Sequence, residues 1–482
     1  MTSLGVDARR SAWHSSAALP DPVVAVLSRK GEGPPFFLPP ARPASLARRV
    51  LATVALLLVG LTTTACLVFG TRSTQQLRQP VPARAAYVAQ DGHVYVVPLA
   101  GGDARRVSQI AGQVAGETTA GWEAPTGRWP TWSPDGARVA FVRLLVGPGD
   151  TLLVAQLWTV AHDGTDPRKV WEAPDQEPIY LAWSPDSASI AMLVQGAGDG
   201  FDLLVIDTTG SQPPRAVAKG SPFYFAWSAD SKALLLHVGD SAARGASKPE
   251  LGVLRLGPPD EYRSLGIVPG SFRAPGWSAD GRKIAFVADG PDGIPAVSLV
   301  SPEGGDITRV ATATGQIAFA LTPDGSRLAW SSRSEADRLA YDGLEVVSAD
   351  GKRRARVTDE RVMAFFWSPD ATRIAYVTID QGGSTFGWNV ADAEGHNPKR
   401  LSTFTPTTDQ IRLLAFFDQY AISHGAWSPD GTALAYAVGQ PGDPRVFGAA
   451  GPGTVQTVPA DGSERAKNLI GGNFVALPVP AP

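Results

Sequence analysis

The six histidines, His14, His93, His162, His237, His396 and His424, are the side chains best suited to proton transfer or metal ligation, and no two stand at metal-ligand spacing. A single cysteine, Cys66, excludes a disulfide framework, a cysteine-built zinc site and an iron–sulfur cluster. No Gly-x-Ser-x-Gly elbow exposes a nucleophilic serine, and no phosphate-cradling glycine loop occurs. Asp289-Gly290-Pro291-Asp292-Gly293 comes nearest to a calcium loop and reads as a turn, because the alternating acids are missing. Aspartates recur at Asp135, Asp186, Asp230, Asp280, Asp324, Asp370 and Asp430, always at the same place in a repeated turn, which marks them as structural. The sequence therefore predicts no catalytic residue, no metal and no cofactor. A site assembled from several repeats stays open, because linear spacing does not test it.

Side chains suited to binding gather in long insertions. Trp122 lies in 108–128 and Trp129 directly follows it; Arg412, Phe416, Phe417 and Tyr420 lie in 403–423; Arg445 and Phe447 lie in 439–453. Aromatic residues and arginine are common interface anchors. The competing expectation is that these aromatics pack the insertions onto the rim of the fold. Within 403–423, Ile411, Leu413, Leu414, Phe416, Phe417 and Tyr420 alternate with Asp409, Arg412 and Asp418, which predicts a short amphipathic helix capped near Thr407 or Thr408.

The elements that must position these residues are set by a repeat. Trp132-Ser133-Pro134-Asp135-Gly136 is followed by Val139-Ala140-Phe141, and the pattern recurs, with substitutions, from Trp183, Trp227, Trp277, Leu321, Trp367 and Trp427 at a period of about 49 residues. Proline presets φ for the first central turn position, aspartate bonds nearby backbone, and glycine supplies the positive φ that closes a hairpin. The tryptophan before the turn and the aromatic after it sit on paired strands and can reach an interblade core. A second turn signal follows in most units, as at Ala161-His162-Asp163-Gly164 and Ser348-Ala349-Asp350-Gly351.

Each unit thus reads as four antiparallel strands, and the chain as an all-β, eight-bladed β-propeller over residues 85–478, with seven blades as the alternative. The first unit lacks a Trp-Ser-Pro-Asp turn. Its missing strand is supplied from the other end by Asn473 to Leu477, which closes the ring and removes its exposed edges. The short turns fall on one face. The long insertions 108–128, 144–151, 239–249, 403–423 and 439–453 fall on the other, where binding is expected.

This repeat resembles the WD40-like (PD40) unit of TolB-type propellers. Similar units form the propeller of prolyl-oligopeptidase-type enzymes, but no hydrolase domain is expected after the last repeat. No separate N-terminal domain is expected before the blades, so the partners of TolB-type proteins do not carry over. The complete ring, the lack of a catalytic motif and the membrane anchor described next predict a binding or scaffold module, and the alternative is an extracytoplasmic propeller enzyme, a hydrolase or lyase acting on glycans or peptides.

Before the repeats, Val50 to Gly70 is a charge-free run of about 20 residues, the length of a membrane-spanning helix. Arg42, Arg48 and Arg49 on its N-terminal side favour that end inside. The expectation is a single-pass anchor at 50–70, a disordered proline-rich cytoplasmic tail at 1–49, a linker at 71–84 and a propeller outside the cytoplasm. A cleaved signal or a lipoprotein box at Thr63 to Cys66 are the alternatives. The expected partners are the membrane and an unidentified protein or small ligand on the elaborated face. A net charge of −3 provides no field for nucleic acid.

Overall fold

The turns follow one chemical plan. In the first, Gly136 N–H donates to Ser133 O at 2.8 Å, Ser133 Oγ donates to Asp135 Oδ1 at 2.5 Å, and Asp135 Oδ1 also accepts from Ala137 N at 3.0 Å. Ser133 Oγ accepts from Arg138 N at 2.9 Å, which clamps the two strands. The hydroxyl–carboxylate bond is repeated by Ser184 with Asp186, Ser228 with Asp230, Ser278 with Asp280, Thr322 with Asp324, Ser368 with Asp370 and Ser428 with Asp430. The positive-φ position is glycine at Gly136, Gly281, Gly325 and Gly431, but Ser187, Ser231 and Ala371 hold it in the other units.

The computed structural model describes residues 81–108, 126–147, 151–174, 176–196, 200–221, 223–239, 249–270, 274–278, 280–334, 340–383, 385–439 and 452–481. Over these the chain is an all-β, propeller-like fold of antiparallel meanders. Strands follow one another in sheet order, as in Thr126–Trp132, Arg138–Gly147, Thr151–Ala161 and Arg168–Pro174, or Phe223–Trp227, Ala233–Val238, Glu250–Arg255 and Glu261–Ile267. In the segment 144–151, expected as a loop, the described residues 144–147 and 151 continue two long strands: Leu144 pairs with Ala155, Leu145 with Val154 and Val146 with Leu152. The apolar residues Leu144, Leu145 and Val146 extend the ladder instead of leaving it. One sheet has seven strands, because Arg354–Trp367 pairs with Tyr341–Ser348 through its first half and with Arg373–Ile379 through its second.

The two ends of the propeller meet. Phe474–Ala476 pairs antiparallel with Arg84–Val88, in the register Ala86 to Ala476 and Val88 to Phe474, as the sequence predicts. The last unit contributes Ala433–Val438, Thr454–Pro459 and Lys467–Gly471, with its first strand reduced to bridges at Gly425 and Trp427.

Neighbouring sheets are joined by the motif tryptophans. Each indole Nε1–H reaches a backbone carbonyl on the first strand of the preceding sheet or unit: Trp132 to Ala476 O (3.1 Å), Trp227 to Ala182 O (3.1 Å), Trp277 to Ala226 O (3.2 Å), Trp367 to Ala320 O (2.9 Å) and Trp427 to Phe366 O (3.0 Å). Trp183 makes the same reach to Thr131 O at 3.4 Å. Leu321 takes the tryptophan position in one unit and has no such donor. The strand after each turn carries a buried alanine, Ala140, Ala191, Ala285, Ala329, Ala375 or Ala435, which lets the next sheet approach, except in the unit from Trp227, where the position is Leu235.

The expected anchor at 50–70, the tail and most of the linker lie outside the described residues. Among the described residues no helix is long and apolar enough to cross a membrane.

Candidate functional site

The insertion 403–423 holds the expected short helix, α1 (Thr408–Ala415), and a second one that the sequence does not predict, α2 (Phe417–Tyr420). Thr407 is the N-cap: its Oγ1 accepts from Gln410 N at 3.2 Å and donates to Asn473 O, tying the helix start to the closing strand. Ile411, Leu413 and Leu414 are buried. So is Phe417, whose ring lies 4.5 Å from that of Phe365 and 6.0 Å from that of Phe366. On the other side Tyr420 stacks on Trp129 at 5.7 Å and meets Tyr180 edge-on at 5.3 Å. Tyr180 OH donates to Gln419 O at 2.8 Å, and Thr131 Oγ1 donates to Ser423 O at 2.5 Å.

These partners lie on the edge strands Thr126–Trp132, Pro178–Trp183 and Phe474–Ala476 of three sheets and on the second half of Arg354–Trp367, the central strand of the seven-stranded sheet. The second helix, α2, also contacts Gln316–Leu321. First strands contact one another in succession, as Phe223–Trp227 with Gly276–Trp277 and Gly276–Trp277 with Gln316–Leu321, so they line the interior of the propeller. An element that touches innermost strands on several sides of that interior lies across it. The insertion is a plug over one end of the axis.

Beneath the plug is an aromatic cluster. His424 is fully buried, with Phe474 at 5.7 Å and Tyr420 at 5.3 Å from its ring. Burial pushes its imidazole down to about 3, opposed by the Trp129 backbone, so it is neutral at physiological pH. Its Nδ1 lies 2.7 Å from Ser423 Oγ. Burial also pushes Tyr420 up to about 12 and Tyr180 higher still. The cluster carries no charge at neutral pH, and its groups hold the plug in place. Among the described residues no three His, Cys, Asp or Glu side chains gather closely enough to hold a metal.

The plug's outer side is different. Phe416 is 57% exposed and Ile422 49%, with Ile179 of the adjoining strand 39%. Beside α1 a cavity of about 270 Å³ opens between the plug and the closing strand, lined by Arg128, Trp129, Asp409, Arg412, Asn473 and Phe474 together with the Val88–Gly92 turn. Trp129 enters it from a backbone at φ +55, a left-handed conformation costly for a bulky side chain, and the pairing register slips between Arg128 and Thr131 at the same point.

Trp129 and Arg412 of the predicted binding residues thus meet in one cavity. Phe416 is on the surface nearby. Phe417 and Tyr420 are core residues that fasten the plug. Trp122, Arg445 and Phe447 lie outside the described residues. Arg128 and Asp409 were not anticipated; the only signal for Arg128 is its place at the end of a long insertion, next to Trp129.

No family model matches the sequence, and no curated relative does. Among solved structures the chain is similar to TolB from Acinetobacter baumannii, at 17% identity over 66% of this chain and 79% of that one, with a TM-score of 0.37. It is also similar to oligogalacturonate lyase in complex with manganese, at 14% identity over 72% and 85% of the two chains, TM-score 0.46. The β-propeller domain of the Trilobed protease from Pyrococcus furiosus matches at 14% identity over 72% and 96%, TM-score 0.43. These likenesses concern the fold alone, and in fold the chain resembles TolB-type β-propellers.

Proposed function

We propose that the protein is a single-pass membrane protein that carries an eight-bladed propeller outside the cytoplasm and uses the plugged face as a binding scaffold for a protein or small ligand. The count of eight takes the seven-stranded sheet as two blades that share Arg354–Trp367, and the sheet formed by both chain ends as one blade. The apolar run Val50 to Gly70 and the arginines before it motivate the anchor and its direction.

The observation that carries the binding reading is the contrast between the two sides of the plug. Its inner side is uncharged and packed, whereas its outer side offers an exposed aromatic ring and a cavity with charged walls. A rigid base with an exposed anchor is the arrangement expected of an interface hot spot. Crosslinking and co-purification from native membranes, comparing wild type with Phe416→Ala, tests it. Phe416 is exposed, so the variant folds normally by circular dichroism, and a partner lost from the variant supports the reading. A partner set identical in both proteins removes this face from the interface. Protease access in intact cells tests the orientation, and a propeller protected until the membrane is opened overturns the extracytoplasmic placement.

A further inference from the structure

Asp409 and Arg412 stand three residues apart on α1 and line the same cavity, an arrangement in which opposite charges on a helix ordinarily pair. Here they do not. Neither side chain makes an ion pair or hydrogen bond among the described residues, although both face a shared space. A second cation, Arg128, lines the cavity too, with only a long 3.9 Å contact to Glu177. Trp129 and Phe474 form the aromatic part of the remaining wall, and Asn473, Gly127 and the Val88–Gly92 turn form the rest. A cavity of about 270 Å³ suits a small molecule and not a folded partner.

We propose that this cavity binds a free α-amino acid with a large apolar side chain. This rests on the binding reading of the plugged face and names the ligand class. An α-amino acid carries an ammonium and a carboxylate a few bonds apart, which answers Asp409 on one side and Arg412 with Arg128 on the other. A simple carboxylate leaves Asp409 unanswered beside a like charge, and a simple amine leaves two arginines unanswered. The side chain lies against Trp129 and Phe474, whose rings are held from behind by Tyr420 and His424. The left-handed backbone at Trp129 is a local cost met where it shapes the cavity.

The test is calorimetric titration of the full-length protein in detergent with L-phenylalanine and L-leucine, beside N-acetyl-L-phenylalanine and L-phenylalaninamide. Binding of at least one free amino acid with a Kd of about 1 mM or tighter is expected, with each blocked derivative about tenfold weaker. Arg412→Gln removes the preference over the amide and Asp409→Asn removes the preference over the N-acetyl form, which a merely structural role for either residue does not produce. Absence of binding by both amino acids overturns the proposal, and so does equal binding of the blocked derivatives. Failure here is distinct from failure of the scaffold: a partner lost in Phe416→Ala, with no amino acid bound, leaves the scaffold and removes the ligand.

Discussion

Asp280 is held by a hydrogen bond from Ser278 Oγ at 2.6 Å, by Arg282 N at 2.9 Å and by Arg282 Nε at 2.6 Å. These bonds stabilise the carboxylate and push its pKa down to about 2, the Ser278 hydroxyl contributing most. Asp230, bonded by Ser228, is lowered in the same way. The folded values lie below the unfolded value of about 3.9. The stability they contribute is therefore complete above about pH 4 and is lost as pH falls toward 2. Urea midpoints measured from pH 5 to pH 2 are expected to fall across that window, and less steeply in Asp280→Asn. An unchanged slope in the variant means that the turn aspartates do not set the acid limit. This role was legible in the sequence, because seven aspartates at one turn position cannot all be reacting groups. The site was less legible at this scale. Phe416, Phe417 and Tyr420 are alike in type and adjacent, and only the packing of α1 and α2 separates an exposed ring from two buried ones. The unpaired Asp409 and Arg412 were invisible for the same reason, since their spacing alone predicts an ion pair.

At the scale of the strand, the repeated tryptophan has a second use beyond apolar filling. Its indole N–H bonds the sheet before it, so the motif fixes the contact between neighbouring sheets as well as the hairpin within one. The residue pattern places the ring in an interblade core but does not reveal its hydrogen bond, because the acceptor is a backbone carbonyl and leaves no mark in the sequence. Trp330 provides the contrast: it is buried on a strand after the turn, and its Nε1 has no partner among the described residues. Trp227→Phe removes the bond to Ala182 O and leaves a buried carbonyl short of a donor, whereas Trp330→Phe removes similar volume and no bond. The first is expected to cost about 1–3 kcal/mol and the second less, by roughly the 1 kcal/mol of a net hydrogen bond. Denaturant unfolding of both variants measures the difference. Equal losses mean that ring volume alone accounts for the repeat.

For the whole molecule, the decisive contact is between its ends. Pairing of Phe474–Ala476 with Arg84–Val88 is the seam through which the last unit and the first become neighbours, and Trp132 of the second unit donates across it to Ala476 O. The plug crosses the same seam, since Thr407 Oγ1 bonds Asn473 O and Gly425 bridges Leu477. A propeller held only by consecutive contacts could open from either end, but one with a sewn seam must break it to open at all. Val475 lies in the seam, opposite Tyr87 and almost fully buried. Val475→Asp places an unpaired charge there and is expected to cost on the order of 3 kcal/mol or more. Asn468→Asp, on the exposed outer strand Lys467–Gly471, keeps its acceptor for Gln456 and is expected to stay within about 0.5 kcal/mol of wild type. Circular dichroism and tryptophan fluorescence report sheets and interblade contacts respectively. If the seam governs the fold, Val475→Asp lowers both midpoints together. A midpoint unchanged by fluorescence, with only a small loss of sheet signal, means that the ends fray locally while the remaining sheets hold one another, and the seam is then a lock on one unit and not on the ring.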